Sequence, residues 1–291
     1  MKSINRRNSL KKMMMGTLAA GAAPLIHLNA KAMPQTQLKG NVNHAVCAWT
    51  MPHLSLDELC KAIKKIGFNA IDLVGPKNWH ILQENGVDCS MCNGAEINLV
   101  HGFNNKTYHD QLVKNYTEVI PLVAKAGYKN LICFSGNRDG MDDETGLQNS
   151  VEGLKKIIGL AEQHNVTLVM ELLNSRVNHP DYMCDKTSWG VELCKRLGSD
   201  NFKLLYDIYH MQIDEGDLIR TIRNNHQYIA HYHTAGNPGR NEIDHTQEIY
   251  YPAIIRAIVE TGFQGYVCQE FIPKKEDKLA SLEEAIRICD V

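Results

Sequence analysis

The sequence predicts one α/β domain, a (β/α)8 TIM barrel. Three observations point to it. Strand-like and helix-like segments alternate eight times from residue 43 to the end, at roughly thirty-residue spacing, as the fold requires. Several strand-like runs are near-continuously apolar, such as Leu168-Val169-Met170 and Lys203-Leu204-Leu205, as parallel strands covered on both faces must be. The alternative, a doubly wound open sheet, predicts a G-x-G-x-x-G turn after an early strand, and none is present.

Taken in order, Val42–Trp49 reads as the first strand. Ser55 and Glu58 form a capping-box pattern at the start of a helix that Gly67 ends. Ala70–Val74 is the second strand, Pro76–Asn85 a short helix, and Val87–Cys92 the third strand, opening onto a polar loop, Asn93–Lys106. A helix over Tyr108–Ala126 follows, then a strand over Asn130–Phe134 and a single helix over Glu144–His164. Val166–Leu172 is strand five, with a helix over Lys186–Leu197. Phe202–Asp207 is strand six, with a helix over Asp217–Asn225. Ile229–His233 is strand seven, with a helix over Gln247–Thr261. Tyr266–Phe271 is strand eight, and Leu279–Cys289 closes the chain.

The first 32 residues stand apart. Asn5-Arg6-Arg7-Asn8-Ser9-Leu10-Lys11 resembles a twin-arginine export signal, and Ala30-Lys31-Ala32 has the form of a cleavage site. The expectation is a cleavable signal peptide over residues 1–32, a linker over 33–42, and a periplasmic or otherwise exported barrel. The apolar run Met13–Leu28 is interrupted by Gly16, Gly21 and Pro24, too short and broken for a stable membrane anchor. This segment holds six Lys or Arg and no acid, so a formal net charge of −2 leaves about −8 on the rest. A body that acidic does not suit nucleic acid; a neutral or weakly charged small substrate suits it better, and a homo-oligomer is compatible with it. The nine cysteines are odd in number, and four of them (Cys47, Cys89, Cys133, Cys268) lie in strand-like runs as small buried hydrophobes. Cys89 and Cys92 are three apart on one strand, which predicts opposite faces and no shared zinc or redox site.

In a barrel of this kind chemistry collects where strands end. Strand five ends at Glu171, strand six at Asp207, strand seven at His233 and strand eight at Glu270. Three carboxylates and one imidazole on consecutive strands, with no thiolate, suit Mn2+, Mg2+ or Co2+ rather than a structural Zn2+. Such an ion can hold two adjacent oxygens of a hydroxy-ketone and stabilise the enediolate left when a proton departs. Glu171 and Glu270, on opposite sides of the sugar, can remove and return that proton. His231, on the same face as His233 but deeper, reads as an interior partner and not a ligand. His210 is placed to reach a sugar hydroxyl, Arg240 to neutralise a developing oxyanion or to close its loop, and Asn174 to bind substrate or to support a residue that does; Glu96, His101 and Trp49 lie beyond strands three and one on the same rim, where they can line the pocket or fill plain surface and packing roles.

Val169-Met-Glu171-Leu-Leu-Asn174, Leu205-Tyr-Asp207-Ile-Tyr-His210, His231-Tyr-His233 with Asn237-Pro-Gly-Arg240, and Gly265-Tyr-Val-Cys-Gln-Glu270 together resemble the xylose-isomerase-like barrel superfamily. Within it they are most similar to the hydroxypyruvate isomerase family and its ketose 3-epimerase relatives. The resemblance runs from about Asn43 to the C-terminus. It implies Glu171 and Glu270 as acid/base pair and metal ligands, Asp207 and His233 as further ligands, and His210 and Arg240 as substrate-binding residues. Hydroxypyruvate isomerases tend to carry Gln where this chain has His233, whereas ketose epimerases carry His. The expected activity is therefore a metal-dependent sugar isomerase or epimerase acting on a ketose or small hydroxy-ketone. Three rivals share the fold. A lyase or hydratase on a keto-sugar or keto-glycoside would use the same proton abstraction. A non-catalytic sugar-binding barrel would not need an acid/base pair. An abasic-site endonuclease would need more ligands and a basic cleft.

Overall fold

A computed structural model describes residues 37–291. The signal-like segment 1–32 and the start of the linker lie outside the described residues. The elements run β1 (Asn43–Cys47), α1 (Leu56–Ile66), β2 (Ala70–Val74), α2 (Trp79–Asn85), β3 (Asp88–Cys92), α3 (His109–Lys125), β4 (Asn130–Cys133), α4 (Asp143–Lys155), α5 (Ile158–His164), β5 (Thr167–Glu171), α6 (Thr187–Leu197), β6 (Phe202–Asp207), α7 (Ile208–Asp214), α8 (Leu218–Asn225), β7 (Ile229–Thr234), α9 (Tyr251–Glu260), β8 (Tyr266–Gln269) and α10 (Lys278–Cys289). The strands pair in chain order and in parallel, and β8 closes on β1, giving the expected barrel.

Outward-facing strand residues such as Val46, Ile71, Met170 and Leu204 pack with the helices in one large apolar core. A smaller cluster of Ala45, Cys47, Ala70 and Cys268 joins β1, β2 and β8. All nine cysteines are free and buried, the role expected of a small hydrophobe. The capping box at Ser55 and Glu58 is present and starts α1. No helix among the described residues is long and apolar enough to cross a membrane.

Four expectations change. The helix expected over 144–164 is two, because Lys156 and Ile157 donate to Gly153 and Leu154 in tight i→i+3 bonds that end α4. An unforeseen helix, α7, starts directly at the end of β6, with the Asp207 side chain as its N-cap. Glu270 lies one residue past β8, its N–H bonded to the Thr234 carbonyl at 2.9 Å. Cys89 and Cys92 do not face opposite ways: their sulfurs are 3.6 Å apart. The β2–β3 register passes from Cys89 directly to Met91, so Ser90 is an extra residue and resets the alternation.

The loop after β7 is folded tightly. The Gly236 N–H donates to the Asn241 carbonyl and its own carbonyl accepts from Arg240 N–H, both at 2.8 Å. A Cβ at Gly236 would lie 2.2 Å from the Glu242 carbonyl oxygen. Gly236→Ala is therefore expected to destabilise the protein by roughly 1–3 kcal/mol, read as a lower melting temperature, because backbone and not a flexible side chain must move.

Candidate metal and proton-transfer site

The parallel register brings four consecutive strand ends to one place. Glu171 is the last residue of β5 and Asp207 of β6; Asp207 pairs with His233 on β7, and Glu270 follows β8. One ligand atom from each lies within 4.8 Å of the others, and all four side chains are buried. The structure thus joins the four residues that the strand-end pattern singled out.

Their hydrogen bonds divide them. Glu270 is held at both oxygens. One accepts from Trp49 Nε1 at 2.9 Å and lies 3.5 Å from Cys47 Sγ. The other takes the Arg240 guanidinium and lies 2.9 Å from His233 Nδ1. Arg240 is fixed in turn: its backbone takes a φ of 58°, its carbonyl accepts from Ile272 N–H at 2.7 Å, and its guanidinium lies over the Trp49 and Tyr209 rings at 5.2 and 5.8 Å. By contrast, Glu171 Oε1 and Asp207 Oδ2 are buried with no hydrogen-bond partner. Orphaned buried carboxylate oxygens are costly unless something cationic completes them.

The imidazole sharpens this. His233 Nε2 lies 2.9 Å from Asp72 Oδ2. A carboxylate only accepts, so Nε2 carries the hydrogen, and the ring turns its Nδ1 towards Glu270 and, at 3.3 Å, Glu171. Facing two carboxylates, Nδ1 needs a cation there, either its own proton or a metal ion that takes the proton's place. The donor set fits a divalent ion held by Glu171, Asp207, His233 and Glu270.

Asp72 was not expected. The strand-end pattern does not reach it, since it sits inside β2. The available signal was a lone acid within the apolar run Ala70-Ile71-Asp72-Leu73-Val74, because buried charges are paired or bind metals. It is fully buried and bonds His231 as well as His233. His231 is accordingly an interior partner, separate from the four-residue cluster.

Of the other expected residues, Trp49, Arg240 and His210 reach the cluster. His210 Nδ1 accepts from the backbone N–H of Asn174 at 3.2 Å, so its hydrogen sits on Nε2, which is buried, unpartnered and 3.7 Å from Asp207 Oδ2. Asn174 spends its side chain on His210 and on the N–H groups of Val177 and Asn178; it shapes the loop and positions the imidazole. Glu96 accepts from Gly94 and Ala95 N–H in its own loop, and His101 stacks on Tyr108 with ring centroids 4.4 Å apart. Neither makes a hydrogen bond to the cluster.

The electrostatics follow. Burial raises the Glu171 carboxyl, and the charge of Glu270 adds to that. Burial, opposed by Arg240, lifts Asp207 to about 7. For Glu270 burial acts upwards too, but His233, Arg240 and Trp49 outweigh it and hold it well below the ordinary value. His233 goes well above its ordinary value: burial disfavours its charge, but Glu270, Asp72 and Glu171 overcome that. His210 is pushed well down by burial and Arg240, so it is neutral at pH 7. Environments that separate two nearby glutamates in this way suit opposite proton-transfer roles.

A closed parallel barrel carrying carboxylates and an imidazole at successive strand ends defines a class, and the chain belongs to it: residues 60–289 match the xylose isomerase-like TIM barrel family. Within that class the chain is 32% identical over 124 residues to the 2-oxo-tetronate isomerase of Cupriavidus necator, covering 43% of this chain and 47% of that one. It is 30% identical over 149 residues to the hydroxypyruvate isomerase of Escherichia coli, covering 51% of this chain and 57% of that one. The chain spans about half the length of the curated relatives it matches. Among solved structures, an AP endonuclease, family 2, from Brucella melitensis superposes with a TM-score of 0.74 at 21% identity, covering 83% of this chain and 96% of that one. The D-psicose 3-epimerase from Clostridium cellulolyticum H10, solved with D-tagatose, superposes with a TM-score of 0.68 at 16% identity, covering 86% and 96%. At such identities these superpositions show the shared fold.

Proposed function

We propose that the protein is a divalent-metal-dependent sugar isomerase or epimerase that moves a proton on a ketose or small hydroxy-ketone. One observation carries this: two buried glutamates, Glu171 and Glu270, face a common centre from different strands and are driven to opposite protonation tendencies. The similarity to named sugar-acid and hydroxy-keto isomerases supports it.

Glu171, Asp207, His233 and Glu270 would hold the ion. Bound there, the ion would polarise the substrate's carbonyl and neighbouring hydroxyl and lower the energy of the enediolate. The O3N donor set favours Mn2+, Mg2+ or Co2+. Glu171 has a free oxygen and the higher proton affinity, so it is the better base for the carbon-bound proton. Glu270 faces the same centre from β8 and can act on the opposite side of the sugar. Arg240 keeps Glu270 ionised and adds positive charge where an oxyanion develops. Neutral His210 presents its Nε2–H as a donor to a substrate oxygen. Trp49 holds Glu270 from the rim and offers a half-exposed ring face to a sugar.

The test is a screen of ketoses and small hydroxy-ketones with Mg2+ or Mn2+ in D2O, read by NMR after the ion is removed. Loss of the proton next to the carbonyl, with appearance of an isomer, is expected for at least one substrate. An enone or a released aglycone in its place would move the assignment to a lyase.

A further inference from the structure

We propose that Asp72 is a positioning residue that selects which nitrogen of His233 faces the ion, and that it does so from inside the barrel through a His231–Asp72–His233 bridge. This rests on the reading of Glu171, Asp207, His233 and Glu270 as a metal site.

The geometry is specific. Asp72 Oδ2 lies 2.5 Å from His231 Nε2 and 2.9 Å from His233 Nε2, and its Oδ1 accepts from Ser90 Oγ–H. The carboxylate, both imidazoles and Ser90 are all buried. Asp72 therefore takes one hydrogen from each ring, which leaves Nδ1 of His233 free to face Glu270 and Glu171. Without Asp72, nothing else in this set would hold the hydrogen on Nε2, and the ring could turn the wrong tautomer to the site. A ligating histidine is commonly oriented through its second nitrogen in this way.

The backbone supports the placement. The β2–β3 pairing is irregular on both sides of Asp72, and the next residue, Leu73, has a φ of 61°, where a branched side chain is strained. Strain of this sort persists where surrounding contacts over-determine it, and the three donors on Asp72 supply such contacts. Asp72, His231, His233 and Cys268 also bring donor atoms within 4.8 Å of one another. Hydrogen-bond lengths from Asp72 to both rings favour the bridge over a second ion at that place.

The test is a calorimetric titration with Mn2+ of the full chain, of Asp72→Asn, of His233→Gln and of the double variant. Asp72→Asn is expected to weaken binding by about 10–100-fold, because an amide can donate to a ring nitrogen and favour the other tautomer. In the His233→Gln background the same change should cost nothing further, since Asp72 acts through that ring. An undiminished affinity in Asp72→Asn, or an equal loss in both backgrounds, overturns the proposal while leaving the metal site intact. A wild-type chain that binds no ion overturns the metal site itself. Two ions per chain, one lost with Asp72, overturns the bridge by making Asp72 a ligand. Should Asp72→Asn not fold, nitrogen-15 NMR of the histidine rings in the Mg2+-loaded wild type decides. A His233 hydrogen on Nε2 supports the proposal and one on Nδ1 overturns it.

Discussion

Glu171→Gln and Glu270→Gln are each expected to slow solvent-proton exchange into the substrate by about 10²–10⁴-fold, because each removes a group that must take or give a proton. Gln keeps the size and one carbonyl oxygen of the side chain, so the ion should still bind, with lower affinity. The two variants should fail differently. Glu171 has a buried oxygen with no hydrogen-bond partner, so its replacement disturbs little else. Glu270 is the hub for Trp49, Arg240 and His233. Its replacement leaves the partly buried Arg240 guanidinium facing a neutral amide, so substrate binding should weaken along with turnover. NMR of the exchanging carbon-bound proton in D2O, with kcat and KM measured separately, checks both. Full exchange in both variants would remove the glutamate pair from the mechanism. Because Glu171 and Glu270 are both implicated as ligands, metal content must be measured in the same samples; loss of exchange with the ion still bound is the informative result.

What the sequence makes legible here is whatever repeats or ends a strand. The apolar runs with their helical partners specify the barrel, and four consecutive strands ending in Glu171, Asp207, His233 and Glu270 specify the cluster. The less legible parts depend on a register or a loop. Asp72 reaches His233 across the barrel interior, some 160 positions away in the chain. Alternation alone separates Cys89 from Cys92, and one bulge at Ser90 brings them together. Glu96, His101 and Asn174 share the rim with the cluster in sequence. The folded loops spend Glu96 and His101 on their own turns and give Asn174 the task of holding His210. Loop side chains satisfy nearby backbone groups first, and sequence position does not reveal which of them have done so.

Asp207→Asn is expected to act on stability with opposite signs in the chelated and in the metal-loaded protein, and the reversal reports the cost of burying the charge cluster without an ion. An ion that binds only the folded state, at about 100 times its dissociation constant, adds about 2.7 kcal/mol. For a domain of this size that should raise the melting temperature by about 5–10 °C. In the chelated protein the carboxylate at Asp207 is instead a burden. Its carboxyl sits at about 7 when folded, against an ordinary 3.8. Between those values the folded chain holds a proton that the unfolded chain has released, so the contribution of Asp207 to stability falls as pH rises from about 4 to 7. Asp207→Asn abolishes that titration and keeps an N-cap for α7. The metal-free variant should therefore gain on the metal-free wild type across this window, by an amount on the order of 2–4 kcal/mol. With the ion present the order should reverse, because the variant has lost an anionic ligand. Thermal melts of both proteins at pH 5 and pH 8, with chelator and with Mn2+, give the four comparisons. A variant that is no more stable than wild type in chelator at pH 8 would mean that the buried cluster has another source of positive charge. The neighbouring His233 imidazolium and Arg240 are the groups in place to supply it.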